Sequence, residues 1–265
     1  MVNKKIKSKS GRTTDDFEIT DKVTKKLEDR LNGIEKSNKI LTREIIGGSI
    51  AKLKLRNKKQ KAYLDLIEEK EITLCIGPAG TGKSFLAVYK VLQLLIDDTN
   101  SFEQIIISTP AVEADEKLGF LPGSIEDKLD PYIYSTYYLI EKLIGKPALN
   151  SLIEKSIIKI LGFGYMRGIN IDASLVLIEE AQNATIRQMK TLLTRIGENS
   201  KFIISGDMKQ SDRFIAKKIQ DCGLFFAVEN LKSIEEIGFF EFDEEDIVRN
   251  PVISKIIRVF EEHGK

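Results

Sequence analysis

The strongest chemical signal in the chain is Gly77-Pro78-Ala79-Gly80-Thr81-Gly82-Lys83-Ser84. It fits the pattern of Gly, four residues, then Gly-Lys-Ser or Gly-Lys-Thr. The N–H groups of such a glycine-rich loop curl around phosphate oxygens, and a helix starting there adds partial positive charge. Lys83 would then reach the β- and γ-phosphates, and the Ser84 hydroxyl suits Mg²⁺. An ordinary glycine-rich turn is the bland alternative, but it does not account for the Lys-Ser pair.

A second signal lies 96 residues beyond Lys83, in Leu175-Val176-Leu177-Ile178-Glu179-Glu180. The apolar run reads as a buried strand of a parallel sheet. An ionised carboxylate is costly to bury unless paired or bound to metal, so the acids mark where the strand leaves the core. Glu179 would face Mg²⁺ and Glu180 would orient an attacking water. Two surface acids opening a helix are the alternative, since carboxylates are favoured there anyway. The neighbouring phosphate loop tips the balance toward the metal reading. A third stretch, Ser205-Gly206-Asp207-Met208-Lys209-Gln210, follows the apolar run KFII. Either Asp207 or Gln210 senses a γ-phosphate there, or the stretch is a plain turn.

These groups need a scaffold that brings three strand ends together. Residues 72–77, 104–109, 156–163, 174–179, 201–206 and 237–242 read as strands. Helices are predicted over 58–69, 84–96, 184–197 and 251–263, and in KLDPYIYSTYYLIEKLIG, broken near Pro131. Strands alternating with helices predict an α/β fold, with a mostly parallel sheet and helices on both faces. Ligands then bind beyond the carboxyl ends of the strands. For Tyr132, Tyr134, Tyr137 and Tyr138, half-buried packing is preferred over base stacking.

Residues 1–56 hold 15 Lys/Arg against 8 Asp/Glu, about +7, while the whole chain is only +1. They read as a basic N-terminal extension, partly helical or disordered, before a catalytic domain over 57–265. Its charge suits an anionic partner or a solvated tail. No apolar run approaches the ~18 residues that span a bilayer, and no secretory signal is present, so a soluble cytoplasmic protein is expected. Cys75 and Cys222 are far apart and read as reduced packing thiols. His263, the one histidine, reads as a surface residue.

Over roughly residues 57–263 the chain resembles the PhoH-like ATPases, which are related to the superfamily 1 helicase core. The resemblance rests on GPAGTGKS, TPAVEADEKLGFLPG, YMRG, EEAQN, LTRIG, SGDMKQ and VRNP, in that order. It implies a RecA-like P-loop fold, Mg²⁺-dependent ATP binding and hydrolysis, and action on RNA or single-stranded nucleic acid, in a helicase- or translocase-like manner. It carries the phosphate loop from Gly77 to Ser84, and Gln60 as a counterpart of an adenine-reading glutamine, with a solvated helix residue as the equal alternative for Gln60. It also carries Glu180 and Gln182 from the acid motif, Gln210 from its GDxxQ motif, and Arg249 as a finger from a neighbouring subunit. Arg195 is a second finger candidate, and Arg167 a cation for phosphate or RNA. One such domain holds half of a two-domain helicase site, which implies a homo-oligomer, a hexameric ring among the options.

Two positions depart from the family pattern. Glu179 stands where Asp is usual, and Thr109 where Arg is usual; Thr offers neither charge nor a bidentate fork. They keep a second class open, an ATP-binding regulator with little turnover. A small-molecule P-loop kinase is a third, but no lid arginine cluster supports it.

Overall fold

A computed structural model of the chain describes residues 39–46, 50–110, 125–210, 221–248 and 259, with backbone alone for 125–132. Six parallel strands form one sheet: β1 (Ile72–Ile76), β2 (Gln104–Ser108), β3 (Ile158–Ile160), β4 (Ser174–Ile178), β5 (Lys201–Gly206) and β6 (Ile237–Glu241). Their order is β3-β2-β4-β5-β1-β6. The runs of Ile, Leu and Val in β1, β2, β4 and β5 are buried on both faces, as a sheet sandwiched between helix layers requires.

One face is covered by α2 (Lys58–Glu69), α3 (Lys83–Ile96), α4 (Ile125–Ile144) and α5 (Lys146–Glu154). The other is covered by α6 (Ile186–Leu193) and α7 (Gly223–Asn230). The fold is thus the predicted α/β sandwich. A short helix over 39–46, α1, lies before it. Ile46 is buried in the first core, and Lys39 Nζ and Arg43 Nε donate to the carbonyls of Asp97 and Ile96 at 2.8 and 2.9 Å. Cations there satisfy the carbonyls left open at the end of α3. Ala51 N donates to Leu143 O at 3.0 Å, so this segment is laid on the core well before residue 57.

Several elements differ from expectation. α4 does not break at Pro131. Proline forfeits one bond to the preceding turn. Ile133, Thr136, Ile140 and Leu143 are buried at helical spacing along the same helix, and that packing outweighs the loss. Tyr137 packs partly on the core, but Tyr134 and Tyr138 are 69% and 55% exposed, against the packing reading. β3 shrinks to three residues, and α5 and α7 were not anticipated. The predicted helix over 251–263 and His263 lie outside the described residues, apart from the helical Val259. Cys75 and Cys222 are free and buried, as expected. Burial pushes the Cys75 thiol up to about 12, so it stays protonated and inert.

Candidate active site

The site is set by strand order. β5 lies between the strand carrying the phosphate loop and the strand carrying the acids. Cys75 of β1 is level with Ser205 of β5, and Ile204 with Ile178 of β4. Ser205 therefore stands beside Glu179, and Asp207 falls between the loop and Glu180.

The loop from Gly77 to Lys83 joins β1 to α3. Gly77, Gly80 and Gly82 have φ of 149°, 91° and 93°, which L side chains rarely adopt. At Gly77 space is also short, because a Cβ would lie 2.6 Å from Phe242 O. Thr81 Oγ1 donates to Pro78 O at 3.1 Å and stiffens the turn. Buried Lys83 folds back so that Nζ donates to Gly77 O at 2.6 Å and Pro78 O at 2.8 Å. Burial holds this amine below its ordinary 10.5, while Asp207, Glu179 and Glu180 pull the other way. Ala79 N donates to Asp207 Oδ2 at 3.0 Å, so a carboxylate sits against the loop's own amide.

On the acid side, Glu179 Oε2 accepts from Ser84 Oγ at 2.6 Å and from Ser205 Oγ at 2.7 Å. Burial raises its carboxyl above the ordinary 4.5, the two hydroxyls act in the opposite direction, and Glu180 adds to the rise. Glu180 is exposed and sits in the left-handed region at φ 56°, where the strand turns into the short 3₁₀ turn Ala181–Asn183. Buried Gln182 ties the edge together: Nε2 donates to Glu180 Oε2 at 2.6 Å, and Oε1 accepts from Asp207 N at 3.1 Å. A Cβ on Gly206 would lie 2.7 Å from Gln182 Oε1, so this close approach needs glycine. One path of hydrogen bonds thus runs from the loop through Asp207 and Gln182 to Glu180.

Gln60 reaches the loop from α2. Its Oε1 accepts from Arg56 N at 2.9 Å, and Nε2 donates to Thr81 O at 3.5 Å. It is buried and clips backbone to backbone in this structure. The chain beyond β6 also closes on the loop. Val248 N donates to Gly80 O at 2.9 Å, Asn57 Nδ2 to Asp246 Oδ1 at 2.9 Å, and Lys59 pairs with Asp243 and Asp246. Gln210 is exposed at the end of a 3₁₀ turn whose backbone is bonded to Asp207 O at 3.0 Å. Arg249 and most of TPAVEADEKLGFLPG lie outside the described residues; Thr109 is buried. Arg167 and Arg195 lie on the α6 face, apart from the loop. Sequence reasoning gave Ser205 no role, though its place one residue before Gly206 on a buried strand was the available signal. A separate cleft of about 1080 Å³ opens at the opposite, amino edge, lined by Thr99, Asn100, Asp172, Glu198 and Lys201 among others. It has neither a glycine-rich loop nor a helix-leading lysine.

The Ser84 hydroxyl and the Glu179 carboxylate are converging hard oxygen donors, which fit Mg²⁺ that keeps its other positions for water and phosphate. No cluster of three or more His, Cys, Asp or Glu that could hold a metal by itself exists among the described residues. The fold and this loop define a nucleotide-binding P-loop protein.

Residues 52–261 match the family model described as PhoH-like protein, and the chain belongs to that family. It is 39% identical over 224 residues to a PhoH-like protein of Bacillus subtilis, covering 84% of this chain and 68% of that one. A PhoH-like protein of Synechocystis is 38% identical, with 77% and 60% covered. Protein PhoH of Escherichia coli is 34% identical, with 77% and 57% covered. The chain thus spans about two thirds or less of the length of these relatives. Among solved structures, a large terminase from a thermophilic bacteriophage superposes with a TM-score of 0.45 at 10% identity, over 77% of this chain and 50% of that one.

Proposed function

We propose that the carboxyl edge of the sheet binds Mg·ATP and hydrolyses it, and that turnover is coupled to RNA or another single-stranded nucleic acid. The observation that carries the reading is the convergence of Lys83, Ser84, Glu179 and Glu180, with Ser84 Oγ 2.6 Å from Glu179 and Glu180 held by Gln182. Phosphoryl transfer depends on positioning and charge neutralisation rather than covalent chemistry. Lys83 exchanges its two loop carbonyls for the β/γ oxygens. Ser84 and Glu179, whose oxygens already converge at 2.6 Å, would hold the cation. When bound, Mg²⁺ neutralises the charge that develops on the phosphates. Glu180 orients the hydrolytic water, and Gln182 fixes that carboxylate. Gln210 senses the γ-phosphate, and Gln60 lines the base side of the loop.

The reading extends to a cytoplasmic homo-oligomer, a hexameric ring among its forms, in which Arg249 acts across a subunit boundary. An absent finger costs ~10³–10⁵ in rate. No helix among the described residues is long and apolar enough to cross a membrane.

One observation favours a second reading, an ATP-binding regulator with little turnover. Ala79 N–H is bonded to Asp207 and Ser84 to Glu179, so both groups must be released before phosphate is engaged. Phosphate release from ATP, measured with and without single-stranded RNA, separates the readings. Stimulation by RNA is the expected result. Tight ATP binding without turnover would favour the regulator, and turnover only with a small acceptor would favour a kinase.

A further inference from the structure

Two segments descend side by side over one face of the sheet, from the carboxyl edge to the amino edge. One is α6. The other is residues 163–171, which leave β3 beside β2, where Leu161 N donates to Ile107 O at 3.0 Å. They pack on a shared core through Phe163 and Met166 on one and Met189 and Leu192 on the other. At the lower end they are tied by Ile171 N to Arg195 O and Gly197 N to Ile171 O, both 2.9 Å.

Their outer surface has an unusual charge. Residues 161–171 and 181–197 contain Arg167, Arg187, Lys190 and Arg195 and no acid at all. None of the four has an ion pair among the described residues, so their charge is not neutralised by a neighbouring carboxylate there. Arg167, Arg187 and Lys190 are exposed. Beside them stand the exposed Tyr165 (56%) and Ile169 (42%). Thr191 and Thr194 turn their hydroxyls back onto the carbonyls of Arg187 and Lys190, both at 2.9 Å.

We propose that this face binds single-stranded nucleic acid, with Arg167, Arg187 and Lys190 on phosphates and the Tyr165 ring stacked on a base. The proposal rests on the nucleic-acid part of the reading above and gives it a location. An extended strip of cations with an exposed aromatic ring suits a polymer of repeating negative charge and planar bases. Arg195, the finger candidate on this face, is not among the phosphate contacts. An arginine finger needs one free guanidinium, and Arg195 is held in its own chain, with Nη1 on Ile169 O and Nη2 on Thr194 Oγ1, both at 3.3 Å. The strip also leads into the catalytic edge. Thr185 caps α6 through a reciprocal pair with Gln188, directly after the turn that carries Gln182 and follows Glu180. A strand held on α6 therefore bears on the turn that sets Glu180.

The test compares the full-length wild type with R167Q/R187Q/K190Q and, separately, Tyr165→Ala. Fluorescence anisotropy is read on labelled single strands of RNA and of DNA over a salt series. Each lost phosphate contact lowers the salt slope by roughly 0.7, so the triple variant should lose about 2. Between about 50 and 200 mM salt the wild type should weaken about 20-fold more than the variant. Tyr165→Ala should bind about 5- to 150-fold more weakly. ATP turnover without nucleic acid should be unchanged in both, and stimulation should fall. Equal effects with RNA and DNA assign the face to the shared backbone and bases; an effect with RNA alone assigns it to RNA. A wild type that binds strands while the triple variant keeps its slope overturns the location and leaves the proposed function standing. Wild-type strand binding together with a loss of oligomer mass makes the face a subunit interface and also overturns it. If the wild type binds no strand at any salt, the nucleic-acid reading itself fails.

Discussion

The phosphate loop and the β4–β5 edge form the two halves of one site, and they are held by different means. The loop is a local device. Three glycines with positive φ, a hydroxyl bonded three residues back, and a lysine on the carbonyls of residues five and six back shape it within eight positions. The edge is a non-local device. Glu179, Gln182, Ser205 and Asp207 come from two strands more than twenty residues apart, and their contacts exist because β5 is threaded between β4 and β1. A local device tolerates changes in the rest of the chain but resists any added side chain. A non-local one depends on register, and its polar groups satisfy one another when no ligand is bound.

The sharpest way to separate the halves is Glu180→Gln. It should lower turnover by about 10²–10⁴-fold, the usual worth of a positioned acid or base, and leave nucleotide affinity intact. Equal losses in affinity and rate would mean that the edge serves binding rather than chemistry. Next in size is Gly77→Ala. It places a Cβ 2.6 Å from Phe242 O in a backbone that favours glycine, and should cost about 1–3 kcal/mol, read as a lower melting temperature.

Glu179→Gln should have the opposite sign. Burial raises the Glu179 carboxyl above 4.5, so its ionised form is disfavoured in the folded chain. That penalty is absent well below 4.5, grows as pH rises from 4.5 toward the folded value, and is constant above it. The ligand-free variant should therefore melt higher than the wild type at pH 7, with the gap closing toward pH 4.5, although its turnover falls. A lower melting temperature at pH 7 would show that the two serine hydroxyls outweigh burial. The smallest effect is expected for Ser205→Ala, which removes one of the two hydroxyls on Glu179. Turnover should drop about 2- to 12-fold, the net worth of one hydrogen bond.

The same contrast explains what could be read from the sequence. The loop, the apolar strands and the helices with long apolar faces are written in consecutive residues, and they reappear almost residue for residue in α2, β1 and β5. Ser205 could not be given a role, because its partner is 26 positions away and strand order decides which strand ends are neighbours. Gln60 was open between a solvated helix residue and a base reader; burial and its bonds to Arg56 and Thr81 exclude the solvated one. Pro131 suggested a break because a local rule was applied where core contacts decide. The exposed pair Tyr134 and Tyr138 was misread for the reverse reason, since periodicity marks a face but not what covers it.

The central claim is that this edge turns over ATP with Lys83 as its phosphate cation. It is tested most directly by measuring phosphate release from Mg·ATP by the wild type and by Lys83→Ala side by side. The account predicts Mg²⁺-dependent release by the wild type and a loss of about 10²–10³-fold or more in the variant, as for removal of one preorganised charge donor. Release of equal rate from both proteins would contradict it, because the chemistry would then lie elsewhere in the molecule.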